Sequence, residues 1–203
     1  MKTNDQGLYQ VMKYGLRSGH HFWPKLLGLW LASGLLLSEV VAQPVENLAY
    51  NKVQAAYIYK IANFVTWPDS LASSFIICIV GKNDSLASIL RQATSSRSIQ
   101  KRPVDVLSFP LSVMASNGAE LKGCQLIYWL DKPPGSNIEA LLSALNGSNN
   151  MLFISAPEVQ MDGNALFELE VEEGRIVIYI NRKRLSASKL VVAPPLLSVA
   201  RPR

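Results

Sequence analysis

This chain of 203 residues contains very little histidine. Its two histidines, His20 and His21, lie in an amino-terminal segment that we expect to be removed on export. Without an imidazole, the remaining chain cannot form a Ser-His-Asp or Cys-His catalytic arrangement or a His-ligated zinc or iron site. The sequence therefore predicts a protein that is not an enzyme and that has no cofactor, no metal site and no catalytic residues.

Phosphate-binding glycine motifs and a strong positive charge are also missing. The glycines form neither G-x-G-x-x-G nor a Walker-type loop, so a nucleotide-binding fold is not expected. Removing residues 1–42 takes away four Lys or Arg and two Asp or Glu, which leaves a formal charge of +3 on the rest of the chain. The one basic cluster there is Arg182-Lys183-Arg184, and such a short run is usually a solvated helix turn. We therefore expect no nucleic-acid binding.

The apolar run near the amino terminus is too short for a membrane span. It extends from Leu26 to Leu37, about a dozen residues, whereas a spanning helix needs about 20. Basic residues precede the run, and the small-residue pattern Val40-Val41-Ala42 follows it. These features favour a secretory signal peptide over a membrane anchor or an amphipathic arm, with cleavage between Ala42 and Gln43. The sequence thus predicts a signal peptide over residues 1–42 and a single periplasmic domain over residues 43–203.

The chain has only two cysteines, Cys78 and Cys124. They form no C-x-x-C redox or metal motif, and export would place them in an oxidising compartment. The natural interpretation is a disulfide between them. On the chain-entropy model, closing a loop of this size stabilises a fold by about 4 kcal/mol.

The pattern of apolar residues predicts an α/β fold. Continuous apolar runs of strand length alternate with helical segments, which indicates a mostly parallel sheet flanked by helices in three layers. Near the end of the chain, alternating residues around a Glu-Glu-Gly turn predict an antiparallel hairpin. The predicted helices cover residues 45–67, 86–93, 137–145 and 182–189; the strands cover 75–80, 103–109, 125–130, 151–155, 166–171 and 175–180; residues 110–120 form a loop, and 196–200 a last apolar turn.

Three groups of residues could carry chemistry, and each has a simpler interpretation. Glu168 and Glu170 share the outer face of one strand, which favours a solvated face over a paired-carboxylate active site. Ser155 ends a strand but has no base to activate it as a nucleophile. Four aromatic residues at helical spacing are expected to be core rather than a ligand box. They are Tyr57, Tyr59, Phe64 and Trp67.

Four segments, in the same order along the chain, resemble the YfiR-like family. The stretch from Lys52 to Pro68 resembles its opening helix, an alanine-tyrosine helix that ends in a phenylalanine, a tryptophan and a proline. The likeness extends over nearly all of residues 45–201. The other three segments are Ile76 to Gly81 with Cys78, Gly123 to Ile127, and the closing part, Arg175 to Asn181 followed by Leu190 and by Leu196 to Ala200.

The resemblance implies a periplasmic regulator that binds the periplasmic sensor part of an inner-membrane diguanylate cyclase and represses it, so that cyclic-di-GMP falls. It also implies a homodimer. The chain departs from the family pattern at residues 161–165, where a double glycine is usual, and it lacks the second cysteine pair of some members. We place the expected partner contact on the last third of the chain, around the hairpin and Arg182, Lys183 and Arg184, where exposed charge meets an apolar tail.

Two other classes of function remain open at this point. The first is a periplasmic receptor for a small molecule, which would require a pocket although one domain of this size offers no cleft between domains. The second is a hydrolase that works without histidine. Interaction with inner-membrane proteins would favour the regulator, whereas stabilisation by metabolites would favour the receptor.

Overall fold

The computed structural model describes residues 43–68, 72–116, 118–132, 138–145, 150–157, 159–161 and 163–203. The predicted signal peptide lies outside these residues. The described residues form one compact unit. Its α-helices are α1 (Gln43–Asn63), α2 (Asp84–Thr94), α3 (Ile138–Leu145), α4 (Arg182–Ala187) and α5 (Pro194–Val199).

An eight-stranded sheet forms the centre of the molecule, in the order β10-β8-β7-β6-β5-β2-β4-β3. Strands β4, β2, β5, β6 and β7 run parallel to one another, whereas β3 pairs with β4 antiparallel and β7 and β8 form the antiparallel hairpin. The α/β fold with a mostly parallel sheet and a carboxyl-terminal hairpin is therefore confirmed. The strands are β2 (Phe75–Val80), β3 (Ser98–Ile99), β4 (Arg102–Phe109), β5 (Leu126–Trp129), β6 (Leu152–Ser155), β7 (Phe167–Glu172), β8 (Arg175–Ile180) and β10 (Arg201–Pro202).

Apolar side chains cover both faces of the sheet because successive residues of a strand point to opposite sides. Ile77 and Ile79 belong to the cluster that includes residues of α1 and α2. Val80 and Trp129 belong to the other cluster, which includes Leu141 of α3. The chain thus leaves β2 for a helix on one face and leaves β5 for a helix on the opposite face.

The first helix is shorter than the predicted span of residues 45–67. It ends at Asn63, and β1 (Val65–Thr66) then pairs with β9 (Val191–Val192) in a small antiparallel sheet. The backbone N–H of Ala193 donates to the carbonyl of Phe64 at 2.8 Å. Pro68 disfavours helical geometry only in Trp67, the residue before it, so the earlier end follows from the pairing of Val65 and Thr66 with β9.

The prediction of a loop over residues 110–120 is wrong. Two 3₁₀ helices occupy Leu111–Ser116 and Ala119–Gly123. Their apolar side chains, among them Leu121, pack into the second core cluster, and this burial stabilises the short helices. Gly118 joins them at a φ of +64°, and a Cβ there would lie 2.5 Å from Leu141.

The predicted disulfide is present. The Sγ atoms of Cys78, in β2, and Cys124, just before β5, are bonded, and the two Cα atoms lie 5.9 Å apart. Both residues are buried among the apolar side chains of the second cluster. The bond therefore connects β2 to the residue that follows the second 3₁₀ helix.

Removing the disulfide is expected to lower stability without abolishing a specific reaction. Replacing both Cys78 and Cys124 with alanine should lower the free energy of unfolding by about 2 to 4 kcal/mol, because the unfolded chain gains conformational freedom. Urea unfolding of the variant and the parent measures this difference. Labelling of both thiols by a maleimide in the denatured, unreduced parent protein would contradict the disulfide.

Candidate protein-binding surface

Helix α1 has two apolar faces, and the fold buries only one of them. The buried face includes Ile58, Ile61 and Ala62. On the rest of the helix, Val53 is 44% exposed, and Phe64, the residue directly after the helix, is 40% exposed. The prediction that Phe64 belongs to the core is therefore wrong, because apolar residues surround most of this helix and spacing alone does not decide which stripe is covered.

The other predicted core aromatics are covered to different degrees. Trp67 is buried, as predicted. Tyr57 and Tyr59 are half-buried. The Tyr57 hydroxyl donates to the carbonyl of Ile176 at 3.1 Å, and the guanidinium of Arg97 lies 5.1 Å from the centre of the Tyr59 ring. Tyr57 therefore attaches α1 to β8 through its hydroxyl, and Tyr59 contacts Arg97 through its ring.

A groove of about 520 Å³ lies between α1 and α5. We call it the α1–α5 groove. Its two walls are apolar, and two lysines of α1, Lys52 and Lys60, also line it. The apolar lining includes Val53 and Ala56 of α1, Phe64 directly after it, Ile178 of β8, and Leu196 and Val199 of α5.

The groove is apolar, accessible and positively charged. Val199 is 64% exposed, while Leu196 at its base is buried. Among the residues that the structure describes, its lining contains two lysines and no acidic residue. Contiguous exposed apolar surface with a charged border is typical of protein interaction sites. The last apolar turn, which sequence reasoning associated with partner binding, forms one wall of this groove.

The carboxyl terminus fixes the wall that α5 provides. Arg203 forms ion pairs with Glu168 and with Glu170, and Arg201 pairs with Glu172 at 2.6 Å. These glutamates lie on β7, so the arginines that follow α5 anchor it to the hairpin.

The same arginines change the interpretation of the acidic strand. Its outer face is not simply solvated, because the pairing arginines lie in β10 and directly after it, about thirty residues further along the chain. A hydrogen bond from Tyr179, and then the guanidinium of Arg201, lower the pKa of Glu172 below its ordinary value. Carboxylates held ionised by arginine are unsuited to act as a general acid.

The basic cluster predicted to bind a partner lies on α4, outside the α1–α5 groove. Arg182 and Lys183 are exposed. Arg184 instead donates from Nε to the carbonyl of Gly163 at 2.7 Å and from its terminal nitrogen to Asn164. It therefore holds the segment in which the chain departs from the double-glycine pattern. A role in partner binding for these three residues stays a prediction.

Ser155 is unsuited to nucleophilic catalysis. It is completely buried, and its hydroxyl has no hydrogen-bond partner within the part of the chain that the structure describes. A substrate could not reach this oxygen in the folded protein. Among the described residues, no group of three or more His, Cys, Asp or Glu side chains could hold a metal ion.

No helix within the described ranges is long and apolar enough to cross a membrane.

Comparisons with known proteins identify the family and the fold. The model of the YfiR/HmsC-like family matches residues 51–201. Solved structures also match, among them a conserved domain protein from Vibrio cholerae O1 biovar El Tor strain N16961. That protein superposes with a TM-score of 0.52 and 15% sequence identity over 73% of this chain and 59% of its own, so the likeness concerns the fold alone. No curated protein matches the sequence.

Proposed function

Because the chain belongs to the YfiR/HmsC-like family, which implies a periplasmic regulator of diguanylate cyclase signalling, we propose that it binds and represses the periplasmic sensor region of an inner-membrane diguanylate cyclase. In this proposal the segment 1–42 directs export and is cleaved, and residues 43–203 are the active domain. Repression lowers cyclic-di-GMP and restrains biofilm formation. The observation that carries the proposal is the α1–α5 groove.

The groove suits an amphipathic segment of the partner. Its apolar walls, which include Phe64 and Val199, would accept a row of apolar side chains spaced as on one face of a helix. Lys52 and Lys60 favour acidic residues beside that row, since opposite charges speed encounter and select partners. We therefore expect the cyclase to present a helix that is apolar on one side and acidic at its margins.

Repression would follow from binding alone. A protein without catalytic groups can change an enzyme only by binding one of its conformations more tightly than the others. Its effect then depends on the ratio of regulator to enzyme. We infer further contacts at Arg182 and Lys183, which are exposed, and a homodimer, which the family resemblance supports.

The proposal predicts opposite effects of deletion and overproduction. Deleting the gene is expected to raise cyclic-di-GMP and surface attachment, and overproducing the protein should lower both, because repression is stoichiometric. A variant without residues 1–42 should have no effect, since it would remain on the wrong side of the membrane. Cyclic-di-GMP in cell extracts gives the measurement. An unchanged level in both the deletion and the overproducing strain would contradict the regulatory function.

A further inference from the structure

A second cavity, of about 840 Å³, opens where the central parallel strands end. Its lining includes Lys82 and Asn83, which follow β2, Leu130 and Asp131, which follow β5, and Ala156, which follows β6. The hydrogen bonds between β2 and β5 continue to the ends of these strands, since the backbone N–H of Leu130 donates to the carbonyl of Val80 at 2.8 Å. We call this cavity the strand-end pocket.

The position of the strand-end pocket follows from the topology. The chain leaves β2 for α2 on one face and leaves β5 for α3 on the other, although β2 and β5 are neighbours in the sheet. Connections that diverge in this way open a crevice at the carboxyl ends of the two strands, which is where open α/β sheets bind ligands. The pocket that sequence reasoning required of a receptor is thus supplied within one domain.

Hydrogen bonds hold the polar walls of the pocket in place. The Asn83 side-chain N–H donates to Oδ1 of Asn51 at 3.0 Å, and Oδ1 of Asn83 accepts from the backbone N–H of Leu86 at 2.9 Å. Oδ2 of Asp131 accepts from the backbone N–H of Lys82 at 3.3 Å. The wall is therefore set before a ligand arrives, which reduces the entropy lost on binding.

Gln54 and Gly81 complete the preformed shape. The Tyr128 hydroxyl donates to Oε1 of Gln54 at 2.6 Å. Because only the oxygen of an amide accepts, this bond fixes the orientation of the Gln54 side chain. Burial, with a smaller effect of Tyr50, raises the pKa of Tyr128 well above its ordinary value, so the hydroxyl keeps its proton. Gly81 has a φ of +127°, and a Cβ there would lie 2.7 Å from Cβ of Leu130. Only glycine allows the two strand ends to approach this closely.

The chemistry of the lining favours an uncharged ligand. The charges of Lys82 and Asp131 offset each other. The carboxylate of Asp131 would repel a phosphate, and the ammonium group of Lys82 would repel a cation. The remaining polar side chains, Asn51, Gln54 and Asn83 with Ser85, can donate and accept hydrogen bonds. Sugar hydroxyls have the same double capacity. Apolar side chains such as Leu48 can cover the C–H faces of a sugar ring.

We propose that the strand-end pocket binds a polyhydroxylated, uncharged ligand of the saccharide class. The cavity volume falls within the usual range for small-molecule sites and accommodates one or two sugar rings. The hydroxyl groups hydrogen-bond to the amides of Asn51, Gln54 and Asn83. This site is separate from the α1–α5 groove in its residues and in its chemistry.

Calorimetric titration of the purified protein tests the proposal. Glucose, maltose and N-acetylglucosamine are the probes, and glycine betaine, a zwitterion, and inorganic phosphate, an anion, are the comparisons that carry formally charged groups. We expect at least one of the sugars to bind and neither charged compound to do so. Binding of betaine or phosphate in place of the sugars, or no binding of any of the three sugars at millimolar concentration, would overturn the assignment.

Matched variants locate the bound sugar. Ser85→Trp places a large ring at the pocket wall and is expected to weaken sugar binding about tenfold or more. Ser186→Trp, at an exposed position of α4, is the control and should leave affinity unchanged. Both serines are exposed, so both variants should fold, and their unfolding midpoints verify this. Equal affinity of the two variants would overturn the location.

Discussion

Replacing Trp67 with alanine is expected to lower the free energy of unfolding by about 3 to 5 kcal/mol. The side chain is 4% exposed, and its ring meets the edge of Phe75 with the ring centres 4.7 Å apart. Its Nε1 donates to the carbonyl of Gln125 at 3.3 Å, which connects the segment that follows β1 to the residue that precedes β5. Truncation removes this contact and leaves a cavity between the two elements.

An exposed aromatic residue three positions earlier supplies the control. Phe64→Ala should cost much less stability than Trp67→Ala, because Phe64 is 40% exposed and lines the α1–α5 groove. Denaturant unfolding measures the free energy of unfolding of both variants. If Trp67→Ala were as stable as the parent and had lost only partner binding, Trp67 would belong to the interface and not to the core.

Replacing Val199 with glutamate is expected to abolish repression while leaving the fold intact. Val199 projects from α5 into the α1–α5 groove and is 64% exposed, so the free protein can solvate the new charge. In the complex the carboxylate would be buried against an apolar and acidic partner surface. We expect a loss of about 2 kcal/mol or more of binding free energy, roughly thirtyfold in affinity.

Val191 allows a matched comparison. It is 63% exposed, but it lies on the small β1–β9 sheet and does not line the groove. Val191→Glu should therefore repress as the parent does, and both variants should be exported at equal levels. A deletion strain is complemented with each variant, and its cyclic-di-GMP level shows which of the two substitutions impairs repression. Full repression by Val199→Glu would remove the α1–α5 groove from the interface.

The parts of the fold that the sequence could predict are those with a strong local signal. The apolar run of residues 75–80 and the alternation of the hairpin specify their strands with few alternatives. The pairing of Cys78 with Cys124 follows because the chain offers no other cysteine. The order of the strands and the direction of each connection then produce the crevice at the strand ends.

The features that the sequence could not predict depend on contacts between distant segments. The uncovered surface of α1 and of Phe64 directly after it is defined by what α5 and β8 leave open, as the exposure of Val53 and Phe64 shows. Arg203 reaches Glu168 across the sheet from thirty-five positions along the chain, which no local pattern indicates. The 3₁₀ helices around Gly118 form because the core covers their apolar residues, although the segment contains turn-forming residues.

The central claim, that this protein represses a membrane cyclase by binding outside the cytoplasm, is tested most directly by the activity of that enzyme. The cognate diguanylate cyclase would be placed in nanodiscs, where its periplasmic region and its catalytic domain are both accessible, and titrated with the purified protein. We predict that cyclic-di-GMP synthesis falls with each addition and reaches a constant low rate near equal amounts of the two proteins. An unchanged rate in the presence of a large excess of the protein would contradict the account.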